Sequence, residues 1–254
     1  MQEKYVGDTP DFGKYALLRA FCVGSDDHPP LRLGVNWYLT LGHEVDKEDN
    51  TDGEKRHHAS KSDAFKLIDP DLWHRLDEFQ HRHNRTIAGI EKAGVLPADT
   101  LYFSEPLTLA SFPQKERAKA RAGWVERGIA ALAEADVVFV DPDNGFETPS
   151  QVRQRKTGPK YVFYDEVTAY VANGQSLVAI QFANQSEKVF AMAQRVTNGV
   201  RDKVGFDGEL LTVRCKAGKV ILYFILCAPT HRDILTARLD SFLARQVGSV
   251  FERL

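Results

Sequence analysis

The sequence predicts an α/β fold with a doubly wound, mostly parallel sheet, helices on both faces and a C-terminal antiparallel hairpin, a Rossmann-like arrangement. Short apolar segments alternate with amphipathic segments of helical period along the chain. The segment at 137–140 is a continuous run of valine and phenylalanine, typical of a strand buried on both faces. Two apolar runs near the C-terminus flank Lys216-Ala217-Gly218, which is a hairpin signal.

Capping residues and periodicity assign the elements of the N-terminal half. Asp11 is expected to cap a first helix, and Asp69 before Pro70 is expected to start another. Gly94 ends a further helix in the manner of a C-terminal glycine. The predicted order is a helix after residue 11, a strand at 33–39, helices at 69–79 and 86–93, a strand at 100–103 and a helix at 114–135.

The C-terminal half continues the alternation and ends in the hairpin. Residues 161–172 fit either a strand followed by a helix or a helix throughout. The other predicted elements are a strand at 176–182, a helix at 186–199, strands at 209–215 and 219–228, and a helix at 230–245. The order after residue 141 is therefore helix, strand, helix, hairpin.

Length and composition favour a single α/β domain over 1–254, with an exposed loop at 42–63 and a helical insertion at about 64–95. The net charge of −2 provides no overall positive field for nucleic acid. The N-terminus lacks the apolar core of a signal peptide, and no apolar run approaches the ~20 residues that span a bilayer. We expect a soluble, cytoplasmic protein that has no membrane partner. The three cysteines have no metal-ligand spacing and are expected to pack as small apolar side chains.

The sequence Asp-Pro-Asp-Asn-Gly at 141–145 follows the most apolar predicted strand. Ligands of open α/β sheets bind beyond the carboxyl ends of the strands, so Asp141, Asp143 and Asn144 are candidate catalytic residues. Gln181 and Asn184 follow the next predicted strand at the same edge, where they would recognise a substrate amide or base edge. Turn and loop capping is the alternative role for these polar residues.

This order of elements resembles the second half of the class I S-adenosylmethionine-dependent methyltransferases. In that family the fourth strand ends in an Asp/Asn-Pro-Pro-Tyr/Phe motif, and Asp141-Pro142 occupies the matching place. The segment 7–15 is also similar to the N-terminal segment of one family of ribosomal-RNA adenine N6-methyltransferases. Gly7, Asp11 and Lys14 match by identity, and Asp8 and Tyr15 replace Asn and His.

The resemblance implies a methyltransferase-like enzyme that acts on an amino group of a nucleic acid or nucleotide. Asp141 would accept a hydrogen bond from that amino group. The cofactor would be S-adenosylmethionine, held by Gly7, Asp8 and Lys14, with Trp37 as a candidate wall of the cofactor pocket.

Two departures from the family pattern concern the base and the cofactor. Asp143 and Asn144 replace Pro and Tyr/Phe, which removes the aromatic side chain on which a flipped base stacks, and Phe146 only partly substitutes for it. The first strand continues into residues 41–44 without the glycine-rich turn that brings a cofactor close to the backbone.

The same residues support two other hypotheses. Asp141 and Asp143 are suited to share Mg²⁺ or Mn²⁺ in a phosphoesterase or nuclease, with Lys160 and the basic run 153–156 holding phosphate. Alternatively, basic patches at 81–85, 115–127 and 153–160 would form a non-catalytic nucleic-acid-binding module. The histidines at 57–58 and 81–83 and the pair Asp165-Glu166 fit solvent-exposed positions better than ligand roles.

Overall fold

A seven-stranded sheet organises this fold. The computed structural model describes residues 1–25, 28–45, 62–80, 85–150, 152–245 and 250–254. The described helices are α1 (Thr9–Cys22), α2 (Gly42–Val45), α3 (Ser62–Ile68), α4 (Pro70–Gln80), α5 (Ile87–Lys92), α6 (Arg117–Ala131), α7 (Tyr164–Ala172), α8 (Val189–Gly199) and α9 (Arg232–Ala244). The described strands are β1 (Leu33–Asn36), β2 (Leu101–Phe103), β3 (Val137–Val140), β4 (Gly145–Phe146), β5 (Tyr161–Val162), β6 (Ser176–Phe182), β7 (Leu210–Cys215), β8 (Ile221–Leu226) and β9 (Phe251–Arg253).

The strand order in the sheet is β2-β1-β3-β6-β8-β7-β9. The first four strands run parallel, and β8 lies antiparallel between β6 and β7. Strands β4 and β5 form a separate two-stranded parallel ladder. The predicted α/β class, with its parallel strands and its C-terminal hairpin, is confirmed.

The sheet is covered on both faces because its central strands are apolar at every position. Val137 and Phe139 face the side covered by α1, α4, α5 and α9, whereas Val138 and Val140 face the side covered by α6, α7 and α8. Successive side chains of a strand point to opposite faces, so a continuous apolar run builds two cores at once.

Several element boundaries differ from the sequence predictions. Helix α1 begins at Thr9 and is capped by Asp8, whose carboxylate accepts a hydrogen bond from the backbone N–H of Asp11, so the prediction that Asp11 caps the helix was wrong. Strand β1 ends at Asn36 because Tyr38 adopts a positive φ of 44°, which bends the chain away from the sheet. The open alternative at 161–172 is decided in favour of a strand followed by a helix.

Between β1 and β2 the structure describes helices α2 to α5. Helices α3 to α5 overlap the predicted helical insertion at 64–95, whereas α2 occupies the first residues of the predicted loop at 42–63. Most of the predicted loop at 42–63, including the histidines at 57–58, lies outside the described residues, as do the histidines at 81–83. Cys22, Cys215 and Cys227 are buried and free, as expected of apolar packing. Within the described residues, no helix has the length and apolar character needed to cross a membrane.

Candidate functional site

A cavity of about 710 Å³ lies beyond the carboxyl ends of β3 and β6. This volume is in the range of pockets that hold small organic ligands, roughly 300–1,000 Å³. Most of the predicted site residues line it: Asp8, Lys14, Asp141, Asp143, Asn144, Phe146, Lys160, Gln181 and Asn184. The cavity therefore lies beyond the carboxyl end of the apolar strand at 137–140, where the sequence predicts a ligand site.

The floor of the cavity is a buried ion-pair cluster between α1 and the end of β3. Lys14 Nζ lies 2.9 and 3.0 Å from the two carboxylate oxygens of Asp141, although 127 residues separate them in the chain. The same ammonium lies 2.9 Å from Asp11 Oδ1, one turn earlier on α1. Asp11 Oδ2 accepts hydrogen bonds from the backbone N–H of Gly7 and the hydroxyl of Tyr15. One cation is thus shared between two buried carboxylates.

The electrostatics of this cluster follow from burial and from an excess of carboxylates. Burial alone would lower the pKa of Lys14, but Asp11, Asp141 and Asp8 raise it above its ordinary value, so Lys14 is charged. Burial raises the pKa of Asp141, and the cation of Lys14 opposes that rise. Burial and the charge of Asp11 raise the pKa of Asp8 well above its ordinary value. Asp8 is therefore the carboxyl group of this cluster that is most disposed to hold a proton.

Asp143 belongs to a second ion pair, made with the first residues of the chain. Its Oδ1 lies 3.1 Å from the α-amino nitrogen of Met1, and its Oδ2 accepts hydrogen bonds from Gln2 and Thr40 at 2.8 and 3.0 Å. Burial would raise the pKa of Asp143, but the α-amino group, Gln2 and Lys160 hold it below its ordinary value. The two aspartates therefore face different cations.

Residues 1–2 also lie across the gap between the ends of β1 and β3, which is the point where the strand order of the sheet reverses. The α-amino group of Met1 donates to the carbonyl oxygens of Tyr38, after β1, and Asp141, after β3, at 3.0 and 2.9 Å. The Met1 carbonyl accepts the backbone N–H of Thr40 at 2.8 Å. Open α/β sheets usually bind ligands in this crevice between β1 and β3. Here the crevice holds the chain itself, and the cavity lies farther along the edge, over β3 and β6.

Gln181 holds the turn that carries the aspartates. Its amide nitrogen donates to the carbonyl oxygens of Asn144 and Phe182, and its amide oxygen accepts the backbone N–H of Phe146 at 3.0 Å. Gly145 adopts a φ of +107°, and a Cβ there would lie 2.6 Å from the Gln181 oxygen. Gln181, which the sequence predicts to recognise substrate, therefore lines the cavity, but its amide oxygen and nitrogen are hydrogen-bonded to the backbone.

The other predicted substrate-binding residues differ in what they offer a ligand. Asn184 Oδ1 accepts hydrogen bonds from Ser186 and the backbone of Glu187, which is the loop-capping role. Phe146 is fully buried and packs against Tyr164 and Phe224, so its ring is not available to stack on a base. Lys160 is half-buried at the cavity wall.

Two predicted cofactor-binding residues do not line the cavity. Trp37 is buried, donates from Nε1 to Glu91 at 2.8 Å and stacks on Tyr102, so it is a core residue on the other side of β1. Gly7 lies behind Asp11 with a φ of +74°, and a Cβ there would lie 2.9 Å from the Phe79 ring. Gly7 shapes the cluster through its backbone rather than by contact with the cavity.

The cavity wall contains residues that the sequence predictions missed. Phe182 ends β6 and is half-buried, with its ring centroid 5.7 Å from Lys14 Nζ and 5.9 Å from Lys219 Nζ. Arg195 from α8 and Lys219 from the hairpin turn also line the cavity. Asp11 is the shared partner of Lys14, and its spacing of three residues from Lys14 on one helix was the signal for that pair.

The solvent-exposed interpretation holds for Asp165 but was wrong for Glu166. Asp165 is exposed and pairs with Arg153, whereas Glu166 is buried and receives two hydrogen bonds from the fully buried Arg121. Arg121 belongs to the predicted basic patch at 115–127, and Arg127 of the same patch pairs with Glu105. These two members of the patch are therefore committed to ion pairs within the chain.

Among the described residues, no group of three or more histidine, cysteine, aspartate or glutamate side chains is placed to hold a metal ion. Comparison with protein-family models, with curated proteins and with solved structures found no match to this chain.

Proposed function

We propose that this chain is a methyltransferase-like enzyme that acts on an amino group of a nucleotide or nucleic acid at Asp141. The observation that carries the proposal is the contact between Lys14 and Asp141. The two motifs that resemble the methyltransferase families lie at opposite ends of the intervening chain, yet they meet in one cavity wall. A chance similarity of two short segments would give no reason for this meeting.

The cluster suits recognition of an amino group. A carboxylate has about four lone-pair sites, so Asp141 can accept a substrate N–H while it keeps its contacts with Lys14. The cation of Lys14 opposes the rise that burial causes in the pKa of Asp141, and so favours the charged form, which accepts hydrogen bonds from an amine. Asp141 would orient the amine nitrogen, and Lys14 acts on the substrate only through Asp141.

S-adenosylmethionine, when bound, would supply the methyl group. The residues of this chain fit it in part: Asp8 and Lys14 line the cavity, and the excess of carboxylates in the cavity wall suits a positively charged ligand. The crevice between β1 and β3 is spanned by Met1, and Trp37 faces away from the cavity. The cofactor would therefore lie over β3 and β6.

The arrangement favours this hypothesis over the metal-dependent alternative. A shared Mg²⁺ or Mn²⁺ would need the carboxylates of Asp141 and Asp143 to converge, but one faces Lys14 and the other faces Met1 and Gln2. Each carboxylate already has a cation as its partner. A metal ion would have to displace both.

The test combines cofactor binding with a matched pair of substitutions at the two ends of β3. We expect calorimetry to detect S-adenosylmethionine binding, and Asp141→Asn to reduce methyl transfer to nucleotide or nucleic acid on the order of 100-fold. Asp136→Asn is the control, because Asp136 precedes β3 and accepts the backbone N–H of Arg32 at the opposite edge of the sheet. No binding at millimolar S-adenosylmethionine, or equal activity of the two variants, would overturn the proposal.

A further inference from the structure

Carboxylates and cations line different parts of the cavity. Four carboxylates lie on α1 and after β3: Asp8, Asp11, Asp141 and Asp143, and Lys160 lies near enough to Asp143 to lower its pKa. Two further cations come from other elements: Arg195 from α8, which pairs with Glu187, and Lys219 from the turn before β8. A ligand that fills the cavity would meet the carboxylates on one side of Phe182 and Lys219 on the other.

The N-terminus of α1 is already occupied by carboxylates. Asp8 caps the helix, and Asp11 accepts the N–H of Gly7 just before it. A helix N-terminus favours anions, but these side chains provide the negative charge themselves. An anionic ligand group is therefore directed away from α1 and towards the lysines.

Phe182 lies between the carboxylates and Lys219. Its half-buried ring is within cation–π distance of both Lys14, in the acidic cluster, and Lys219. The fully buried Phe146 leaves no aromatic ring in the 141–146 turn for a ligand. Tyr5, Tyr161 and Phe182 are half-buried aromatic residues that line the cavity, and Phe182 is the one within cation–π distance of both Lys14 and Lys219.

From this order of acceptors, aromatic ring and cations, we infer that the cavity binds a mononucleotide. Its base packs against Phe182 with an exocyclic amino group directed to Asp141, and its phosphate lies at Lys219. This inference rests on the proposed function and makes it more specific, because it names a mononucleotide rather than a polymer as the ligand. The cavity volume of about 710 Å³ lies in the range of pockets that hold small organic ligands, which favours a mononucleotide as the ligand.

Calorimetry with adenosine monophosphate, cytidine monophosphate, the two nucleosides, inorganic phosphate and a single-stranded oligonucleotide tests the inference. We expect at least one amino-bearing monophosphate to bind roughly tenfold more tightly than its nucleoside, because the phosphate adds a charge-assisted contact. Lys219→Gln should remove this difference and leave the nucleoside affinity unchanged. Phe182→Leu should weaken nucleotide and nucleoside alike by roughly tenfold.

The chain offers a matched control for each substitution. Lys216→Gln changes a lysine of the same hairpin turn that pairs with Glu252 outside the cavity. Phe190→Leu changes an aromatic residue that is 68% exposed on α8 and does not line the cavity. Both controls should bind nucleotide as the unchanged protein does.

Three results would overturn the inference: equal affinity for nucleotide and nucleoside, a nucleotide preference that survives Lys219→Gln, or tighter binding of the oligonucleotide than of any mononucleotide. S-adenosylmethionine binding is measured separately on the same protein. Cofactor binding without nucleotide binding would overturn the inference and leave the methyltransferase proposal standing. Nucleotide binding without cofactor binding would leave the inference standing and overturn the methyltransferase proposal.

Discussion

Asp8 is the residue whose chemistry departs furthest from that of an ordinary surface carboxylate. It is 3% exposed, it caps α1, and it shares its surroundings with Asp11 and with only one buried lysine. Lys14 is already divided between Asp11 and Asp141. Lys14 and Arg85 lower the pKa of Asp8, but they do not offset the effects of burial and of Asp11, so the charge of Asp8 is under-compensated. A protein keeps such a group at a cost in stability where it serves a site.

Replacement of Asp8 by asparagine should stabilise the protein at neutral pH. The pKa of Asp8 is raised in the folded state, so the ionised carboxylate costs folding free energy above the folded pKa. That cost shrinks as the pH falls and is absent below the unfolded pKa of about 4. Asparagine caps a helix as well as aspartate does. We expect Asp8→Asn to gain on the order of 1 kcal/mol at pH 8, with the gain disappearing near pH 4.

Denaturant unfolding at both pH values measures this difference. Asp233→Asn is the control, because Asp233 also lies in the first turn of a helix but is 88% exposed and pairs with Arg232. It should change stability little at either pH. A loss of stability in Asp8→Asn at pH 8 would show that Lys14 and Arg85 compensate the charge of Asp8 fully.

At the scale of elements, the turn between β3 and β4 is held from the neighbouring strand. Gln181 on β6 binds the backbone of the turn on both sides of Gly145. Because Gly145 has a positive φ and faces the Gln181 amide, a side chain there meets both backbone strain and a steric clash. The position of Asp141, Asp143 and Asn144 thus depends on one glycine and one amide.

Gly145→Ala should therefore lower both stability and ligand affinity. Gly174→Ala is its matched control, since Gly174 has a φ of +74° but no atom within 4 Å of an added Cβ. The control carries backbone strain alone, about 1–2 kcal/mol, and should leave the affinity unchanged. Gly145→Ala should lose more, as measured by chemical unfolding and by nucleotide titration. Equal losses in the two variants would contradict the role assigned to Gln181.

The sequence predicted the secondary-structure elements better than the side-chain contacts. The apolar run at 137–140 and the hairpin turn at 216–218 predicted the sheet and the edge where the cavity lies, because burial and turns leave local patterns. The role of Gln181 and the burial of Glu166 had no such pattern, since their partners come from distant segments. The resemblance to methyltransferases predicted that Lys14 would lie near the cofactor, but the contact of Lys14 with Asp141 was not predicted.

At the scale of the whole molecule, helices α6 and α7 are tied to each other and to the chain before β5 by a buried ion pair. Arg121 on α6 reaches Glu166 on α7 at 2.5 and 3.0 Å and also donates to the carbonyl oxygens of Gly158 and Tyr161. Glu166 further accepts from Tyr38 and from the backbone of Phe163. This network joins segments that are far apart in sequence, next to the lysine-bearing wall of the cavity.

Arg121→Met should destabilise the fold by about 3–5 kcal/mol, because it leaves the Glu166 carboxylate buried without its cation. Arg127→Met is the control on the same helix, since its pair with Glu105 is more than 40% exposed on both sides and contributes little in water. The double variant Arg121→Met/Glu166→Gln should regain most of the loss, because neutral groups at both positions remove the uncompensated charge. The coupling is measured from the unfolding free energies of the unchanged protein, Arg121→Met, Glu166→Gln and the double variant. If the loss of unfolding free energy in the double variant equalled the sum of the two single losses, the ion pair would not be what holds α6 to α7. Packing around Trp124 and Tyr170 would then hold the two helices together.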